Sequence, residues 1–321
     1  MDLITTIQLD PNGFCNAKCW YCPVRYEKLP DYNNMSVEDL TTILDKIVKR
    51  KGAEVSTDVF VYTAHYNEIL LYSYLKEFLD LLRTRNLKTM ILSNGTNLTP
   101  DKYELLLLYK DVVVGINLNI PAFDKTKWIH QVGLPENQYD KMIINLDYVY
   151  NHSNKIEFSI GMNGINSTFV LGEGGLLGRM SNFPWFVSST TLHEEYDLFK
   201  EKYPNFNIYM NNDVIDRNNL LEKNEVFSLR VGNLLNNKKD NTKIIGCCNG
   251  NIGEGRFDNW LHINCKGDVF VCCNDYNYEY IFGNILEQSL EDIWSSERRQ
   301  VVIQKAKNDM CQTCRSAIWG R

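Results

Sequence analysis

Three cysteines lie close together near the start of the chain, at positions 15, 19 and 22 of the segment CNAKCWYC. They directly follow an apolar, β-branched run over residues 3–9, so we expect them on a loop that leaves a strand. Three thiolates at C-x3-C-x2-C spacing can bind one soft metal centre, but they leave a four-coordinate site one protein ligand short. A cluster of four irons held in this way keeps one iron open, and a ligand with an amine and a carboxylate can chelate it there.

A zinc site is the alternative interpretation of these cysteines. Structural zinc is usually bound by four protein ligands that come in two closely spaced pairs, whereas this segment provides three ligands. A chain of this kind would be a non-enzymatic, zinc-bound binding module in which both cysteine groups are structural. That interpretation predicts bound zinc and no visible chromophore.

The remaining seven cysteines all lie beyond residue 246, and residues 23–246 contain none; they are Cys247, Cys248, Cys265, Cys272, Cys273, Cys311 and Cys314. This distribution is typical of metal sites near both ends of a long chain rather than of a disulfide framework. Thiols that bind iron need a reducing compartment. The sequence shows neither a signal-peptide pattern nor eighteen consecutive apolar residues, so we expect a cytoplasmic protein without a membrane span.

Apolar runs and helical periodicities alternate six times along the first two thirds of the chain. Strands are expected at 3–9, 57–63, 87–93, 111–120, 155–162 and 206–210, and helices after Ser36, at 70–85, after Thr99-Pro100, at 139–151 and at 190–202. Such alternation predicts an α/β fold with a parallel sheet and right-handed crossovers. Ligands are then expected at the carboxyl ends of the strands, where the cysteine loop lies.

The cysteine motif resembles that of the radical S-adenosylmethionine (radical SAM) superfamily, C-x3-C-x-aromatic-C, with Tyr21 in the aromatic position before Cys22. The resemblance implies an open (βα)6 partial TIM barrel, here over residues 1–216. It also implies a 4Fe-4S cluster on Cys15, Cys19 and Cys22, with S-adenosyl-L-methionine (SAM) as cofactor. In this family the reduced cluster splits SAM to methionine and a 5′-deoxyadenosyl radical, which abstracts a hydrogen atom from the substrate.

The resemblance also suggests which residues bind the cofactor: Tyr21, Glu68, Ser93, Asn94, Asn117 and Asn119. Glu68 matches the carboxylate of a Gly-Gly-Glu segment whose two glycines are absent here, and Ser93-Asn94-Gly95 matches a common family turn. Asn117 and Asn119 stand where relatives often have Ser and Asp, while the arginine that many relatives use for the methionine carboxylate is missing. The alternatives are a solvated Glu68 that caps a helix and a simple Asn-Gly turn.

The pattern changes after an Asn- and Lys-rich linker predicted at 217–245. Two alternating runs at 261–263 and 267–273 predict a β-hairpin, and residues 283–294 lead into a helix. Residues 246–321 resemble the cysteine-rich α+β SPASM or twitch extension of radical SAM enzymes, which binds an auxiliary 4Fe-4S cluster. The resemblance implies the ligands Cys248, Cys272, Cys311 and Cys314, with Cys247 and Cys273 as adjacent alternates. One auxiliary cluster is expected, because a longer cysteine run of the full SPASM form is missing, and Cys265 is expected to be a half-buried apolar thiol in a strand.

The resemblance implies oxidation or rearrangement of a small molecule or peptide, with the auxiliary cluster taking part. Isomerisation, or formation of a C–C or thioether bond, in a peptide or nucleic-acid base is the alternative within the family. A net charge of -6 does not favour nucleic acid. We expect a monomer that receives electrons from an external donor such as flavodoxin or ferredoxin.

The substrate is not specified by any motif. The first strand begins at residue 3, so no N-terminal peptide-recognition module is expected, which favours a small carbinol or amine, or a peptide brought by a carrier. The glycine-containing stretch 163–187 is predicted to be a substrate-facing loop. The histidines show no ligand spacing with the cysteines and are expected in the core or on the surface: His65, His130, His152, His193 and His262.

Overall fold

The computed structural model describes residues 3–19, 22–25, 33–63, 65–152, 156–163, 189–211, 243–247, 256–312, 314 and 317–320. Six of its strands come from the first two thirds of the chain: β1 Ile4–Leu9, β2 Val55–Tyr62, β3 Lys88–Ser93, β4 Val113–Asn119, β5 Glu157–Asn163 and β6 Asn207–Asn211. Each pairs in parallel with the next, in the order of the sequence. The predicted α/β fold with a parallel sheet is therefore confirmed.

Helices follow the strands: α1 Val37–Val48, α2 Leu75–Thr84, α3 Pro100–Leu108, α4 Lys125–Val132, α5 Glu136–His152 and α6 Ser189–Lys202. The predicted start of α1 is confirmed, because Ser36 Oγ accepts a hydrogen bond from the main-chain N–H of Asp39 at 3.0 Å. Helix α4 was not predicted, and α5 begins at residue 136 rather than 139. Asp124 and a left-handed Gly133 bound α4, and its short apolar stripe buries Trp128 and Val132.

One face of the parallel sheet is aliphatic and lies under the helices. Its side chains include Ile7, Leu9, Val61, Ile91 and Ile160, all of which are fully buried. Helix α1 contributes a matching stripe with Leu40, Ile43, Leu44 and Ile47. Burial of each such side chain stabilises the fold by roughly 1.5–3 kcal/mol, so this layer holds the strands in place beneath the functional edge.

Successive side chains of a strand point to opposite sides of the sheet. The side chains on the face opposite the aliphatic one include a polar group on β4, β5 and β6. Asn117 on β4 donates from Nδ2 to Ser159 Oγ at 3.0 Å and to Tyr209 Oη at 2.6 Å. Tyr209 reaches Asn117 from β6 by crossing β5 at Gly161, where an added Cβ would lie 2.8 Å from the tyrosine oxygen. The missing side chain at Gly161 therefore lets an aromatic ring span three strands.

The C-terminal region continues the same sheet. Its elements are β7 Lys243–Gly246, α7 Arg256–Asn259, β8 Trp260–Ile263, β9 Asp268–Phe270, β10 Ile281–Asn284, α8 Leu290–Ser295, α9 Glu297–Asn308 and β11 Ile318–Gly320. Strand β8 pairs in parallel with β1, and β8, β9 and β10 are antiparallel. The full order is β10-β9-β8-β1-β2-β3-β4-β5-β6, which is open at both edges in the described part of the chain. The predicted hairpin is confirmed as β8 and β9.

A second, two-stranded sheet pairs β7 with β11, and Ile318 lies opposite Gly246. Neither strand was predicted, because each has only three or four residues and finds its partner far away in the sequence. This pairing brings the main chain before Cys247 close to the end of the chain. Residues 164–187 of the predicted substrate loop and residues 217–242 of the predicted linker lie outside the described residues. Within the described ranges, no helix is both long enough and apolar enough to cross a membrane.

Gly133 allows α4 to pack against the cysteine loop. Its φ is +68°, and an added Cβ would lie 2.7 Å from the main-chain oxygen of Lys18. We expect Gly133→Ala to lose about 2–4 kcal/mol of unfolding free energy, the left-handed penalty plus the clash. Gly52→Ala is the matched control, because Gly52 has a φ of +82° but nothing within 4 Å, so it carries the backbone penalty alone. Urea unfolding of the iron-free proteins measures both, and equal losses would contradict the close packing at Lys18.

Gly161→Ala is expected to cost about 1–3 kcal/mol, because the new methyl group collides with Tyr209. In the double variant Gly161→Ala/Tyr209→Ala the collision is gone, so its cost should be smaller than the sum of the two single costs. Gly115→Ala is the control, since its Cβ would lie 3.4 Å from the nearest atom. Urea unfolding gives the four free energies, and additive effects of Gly161→Ala and Tyr209→Ala would show that the ring does not cross β5.

Candidate active site

The first cysteine loop leaves β1 at the carboxyl edge of the sheet and is held by its main chain. The main-chain N–H of Glu68 donates to the oxygen of Phe14 at 2.9 Å, and that of Lys18 donates to the oxygen of Val132 at 2.8 Å. The Asn16 side chain donates to Thr96 Oγ1 at 3.0 Å. The loop is thus tied to the segments after β2, β3 and β4, which positions the thiols before any metal is bound.

The three thiols of this loop lie within electrostatic range of one another. Cys15, Cys19 and Cys22 are half-buried, and the main-chain N–H of Ala17 donates to Cys15 Sγ at 3.4 Å. Burial raises the pKa of the Cys15 thiol well above its ordinary value, and the charges of Glu68 and Cys19 raise it further. A thiolate at Cys15 therefore needs a cationic centre beside it, which iron supplies.

The number of thiols on this loop fits a four-iron cluster. Each cysteine of such a cluster binds a different iron, so three thiols leave one iron open. Cys15, Cys19 and Cys22 would hold it, and their role as its ligands stays a prediction.

Three of the predicted cofactor residues lie together beside Cys15. The carboxylate of Glu68 is buried and accepts a hydrogen bond from the main-chain N–H of Asn94 at 2.9 Å, as well as one from the Ser93 hydroxyl. Asn94 Nδ2 donates to Asn16 at 2.9 Å and lies 3.9 Å from Cys15 Sγ. Glu68, Ser93 and Asn94 therefore form one polar group at the base of the cysteine loop.

The alternative interpretation of Glu68 was a solvated carboxylate that caps the predicted helix at 70–85. Its side chain instead accepts from the main-chain N–H of Leu70 at 3.2 Å and caps the separate 3-10 helix Ile69–Leu71, while α2 begins after Tyr74. Glu68 is not solvated, since only 1% of the residue is exposed. Burial raises the pKa of its carboxyl group. The other predicted cofactor residues, Asn117 and Asn119, lie on the polar face of β4, and Tyr21 lies outside the described residues.

The buried side chain of His65 connects the segment after β1 with Cys273. The spacing of the histidines in the sequence does not predict this contact. His65 Nε2 donates to the main-chain oxygen of Cys273 at 2.8 Å, and Nδ1 lies 3.0 Å from Asp10 Oδ2. The neighbouring Tyr66 hydroxyl donates to the same oxygen of Cys273 at 2.7 Å. Burial raises the pKa of Asp10, against the opposing effect of His65. The segment after β2 therefore fixes Cys273 at the carboxyl end of β1.

The C-terminal cysteines form a second group. Asn274 connects two of them, because its main-chain N–H donates to Cys272 Sγ and its Nδ2 to Cys314 Sγ, both at 3.5 Å. The main-chain N–H of Cys314 donates to the oxygen of Cys311 at 3.1 Å. The structure thus brings three of the four predicted auxiliary ligands together, while the fourth, Cys248, lies outside the described residues.

The alternates Cys247 and Cys273 lie in the same group. Arg256 donates from its main chain to Cys247 Sγ at 3.1 Å and from its guanidinium to Cys273 Sγ. Cys272 contacts Cys273, and their hydrogen bond, followed by burial, raises the pKa of Cys272 well above its ordinary value. Buried thiols at this density fit an iron-sulfur cluster. Cys265 is buried in the turn between β8 and β9, rather than half-buried in a strand as predicted.

Two family models match the chain. Residues 10–167 match the Radical SAM superfamily, and residues 255–315 match SPASM, an iron-sulfur cluster-binding domain. No curated protein matches the chain. The first match contains Cys15, Cys19 and Cys22, and the second contains Cys272, Cys273, Cys311 and Cys314.

Several solved structures share the fold. BtrN in complex with AdoMet and 2-DOIA has 17% identity and a TM-score of 0.54, over 99% of this chain and 94% of that one. Streptococcus suis SuiB bound to S-adenosylmethionine has 14% identity and a TM-score of 0.57, over 98% and 71%. Native anSMEcpe with bound AdoMet and Cp18Cys peptide has 16% identity and a TM-score of 0.59, over 97% and 88%. At these identities the likeness shows the fold alone.

The matches agree with the two cysteine groups in position and order. A radical SAM domain implies a 4Fe-4S cluster and SAM, and an SPASM domain implies auxiliary iron-sulfur clusters, so the predicted cofactors are confirmed. Together the two models cover more than half of the chain. The chain belongs to the radical SAM superfamily, as a radical SAM enzyme with a C-terminal SPASM domain.

Proposed function

We propose that this radical SAM enzyme oxidises a small molecule or a peptide, with the SPASM site taking up one of the two electrons removed. The observation that best supports this is that both cysteine groups adjoin the same pair of tyrosine rings. Cys22 packs against Tyr66 and Tyr276, whose rings lie 4.7 Å apart, and the Tyr66 hydroxyl donates to the main chain of Cys273. Both sites thus adjoin one pair of aromatic rings at the carboxyl edge of the sheet.

The residues of this chain fall into groups with different proposed roles. Cys15, Cys19 and Cys22 hold one cluster, and Cys272, Cys311 and Cys314 with Cys248, or the adjacent alternates, hold the other. When bound, the first cluster supplies the electron that cleaves SAM to methionine and a 5′-deoxyadenosyl radical, and the auxiliary cluster supplies an acceptor for an electron from the substrate. Glu68 and Asn94, which lie beside Cys15, would orient the cofactor, and Asn117 and Asn119 would contact it from β4.

The electrons balance in this scheme. A C–H bond of the substrate is broken by the 5′-deoxyadenosyl radical, which takes the hydrogen atom and becomes 5′-deoxyadenosine. The substrate radical then loses one electron to the auxiliary site and one proton to a base, and a C=O or C=N bond forms. The substrate would lose two electrons and SAM would gain two, provided that the auxiliary site returns its electron to the first site, directly or through a one-electron carrier. A donor such as flavodoxin or ferredoxin would supply the electron that first reduces the first site.

The substrate class is open between two possibilities that the neighbours represent. BtrN was solved with 2-DOIA, whereas SuiB was solved with the precursor peptide SuiA and anSMEcpe with the Cp18Cys peptide. Within the same family, isomerisation or bond formation is the second candidate reaction, since it needs the same hydrogen abstraction. The two differ in whether an electron leaves the substrate for the auxiliary site.

The metal content distinguishes the proposal from the zinc alternative. Protein purified and reconstituted without oxygen should contain roughly eight irons per chain, and the Cys15→Ala/Cys19→Ala/Cys22→Ala variant about four. Iron, sulfide and zinc analysis measures this. Roughly four irons in the unmodified chain would remove the auxiliary cluster from the mechanism, and zinc without iron would support a binding module.

Cys311→Ala separates cleavage of SAM from turnover of the substrate. We expect this variant still to form 5′-deoxyadenosine when reduced, because the first site is intact, but to form product at least a hundredfold more slowly. Cys265→Ala is the control, a buried thiol of the same region outside the predicted ligand set. Liquid chromatography of 5′-deoxyadenosine and product measures both. Product formation by Cys311→Ala at the unmodified rate would reject the auxiliary role.

A further inference from the structure

One arginine lies against the thiols of the auxiliary site. The main-chain N–H of Arg256 donates to Cys247 Sγ at 3.1 Å, and its guanidinium donates to Cys273 Sγ. One residue therefore contacts two cysteines of this group, Cys247 through its main chain and Cys273 through its guanidinium.

The guanidinium is held in place by aromatic rings. Its central carbon lies 4.4 Å from the centre of the Trp260 ring, and Trp260 stacks on Tyr62 at 5.8 Å with an interplanar angle of 12°. Trp260 belongs to β8 and Tyr62 to β2, so the stack rests on the central sheet. Stacking on an aromatic face fixes a planar guanidinium while leaving its N–H groups free to point at acceptors in the ring plane.

Cys273, whose thiol accepts a hydrogen bond from the guanidinium, is also held through its main chain. His65 Nε2 and the Tyr66 hydroxyl both donate to the main-chain oxygen of Cys273, at 2.8 and 2.7 Å. The backbone of Cys273 is thus held by the segment after β2, and its side chain by Arg256 from the start of α7. Movement of the Arg256 side chain away from Cys273 would break its stacking on Trp260. Movement of Cys273 would break the hydrogen bonds from His65 and Tyr66.

A fixed positive charge beside thiolate ligands affects the two redox states of a cluster differently. Reduction adds one negative charge, so a cation and its charge-assisted hydrogen bond stabilise the reduced state more than the oxidised state. We infer that Arg256 raises the reduction potential of the auxiliary cluster and thereby makes it a better electron acceptor. The inference rests on the proposed function for its purpose, but the potential itself is a property of the site without substrate.

The test is a redox titration of the full-length chain in the Cys15→Ala/Cys19→Ala/Cys22→Ala background, where only the auxiliary cluster remains. Electron paramagnetic resonance follows the reduced cluster in Arg256→Gln, Arg256→Lys and the unmodified Arg256 protein. Arg298→Gln is the matched control, because it removes an exposed arginine of the same region that donates to the main-chain oxygen of Ile281. Iron content is measured in every sample.

Arg256→Gln should make reduction at least tenfold less favourable, which for a one-electron couple is a shift of about 59 mV to more negative potential. Arg256→Lys keeps the charge without the planar fork and should shift in the same direction by less. Arg298→Gln should not shift the potential. An unshifted potential in either loaded Arg256 variant overturns the inference, and Arg256→Lys decides alone if Arg256→Gln binds no iron.

The outcomes also separate this inference from the proposed function. A loaded cluster with an unchanged potential rejects the role of Arg256 and leaves the proposed oxidation intact. A background variant without iron rejects the auxiliary cluster, and the proposed oxidation is rejected with it.

Discussion

The parallel pairing of β8 with β1 is the interaction that joins the C-terminal cysteines to the sheet carrying the first cysteine loop. Gln8 lies opposite His262 and their side chains are 2.9 Å apart, and the main-chain N–H of Asp10 donates to the oxygen of Ile263 at 3.0 Å. Because the two strands run in the same direction, the chain that follows each of them emerges at the same edge of the sheet. The segment after β1 carries the first three cysteines, and the segment after β8 carries Cys265. Cys272 and Cys273 follow β9, which returns antiparallel beside β8, and the hydrogen bonds from His65 and Tyr66 to the main-chain oxygen of Cys273 hold them near the first loop.

A buried polar network completes this edge. Asp10, His65 and Glu68 are almost fully buried, and buried polar groups require partners. His65 Nε2 donates to the main-chain oxygen of Cys273, and Nδ1 makes a 3.0 Å hydrogen bond with Asp10 Oδ2. Burial raises the pKa of Asp10, while His65 lowers it. The network thus orders the segments after β1 and β2 with respect to the C-terminal cysteines.

Features with a local cause could be predicted from the sequence. The strands are apolar runs, the start of α1 is a capping pair of Ser36 and Asp39, and the hairpin has Gly267 at its turn with a φ of +80°. The three thiols at Cys15, Cys19 and Cys22 identify the first site because their spacing alone sets the ligand number. Each of these signals lies within a few residues, so no knowledge of the tertiary structure is needed.

The features that were missed depend on distant partners. His65 obtains its role from Asp10 and from Cys273, and no spacing in the sequence relates them. Strands β7 and β11 are too short to stand out, and each is ordered by the other. Helix α4 is different, because its start and stop signals are local: Asp124 precedes it and Gly133 follows it.

The two cysteine groups also differ in how much of the fold each requires. The first lies on one short loop whose closure costs little chain entropy, and main-chain hydrogen bonds already position it. The second gathers thiols from β7, from the hairpin and from the segment after α9, which meet only once β8 has joined β1 and β11 has joined β7. Iron bound there cross-links segments that are far apart in sequence, so it stabilises the folded C-terminal region more than iron at the first site stabilises its loop. Under the proposed function, iron at the SPASM site would both accept an electron from the substrate and cross-link the segments after β7, β9 and α9.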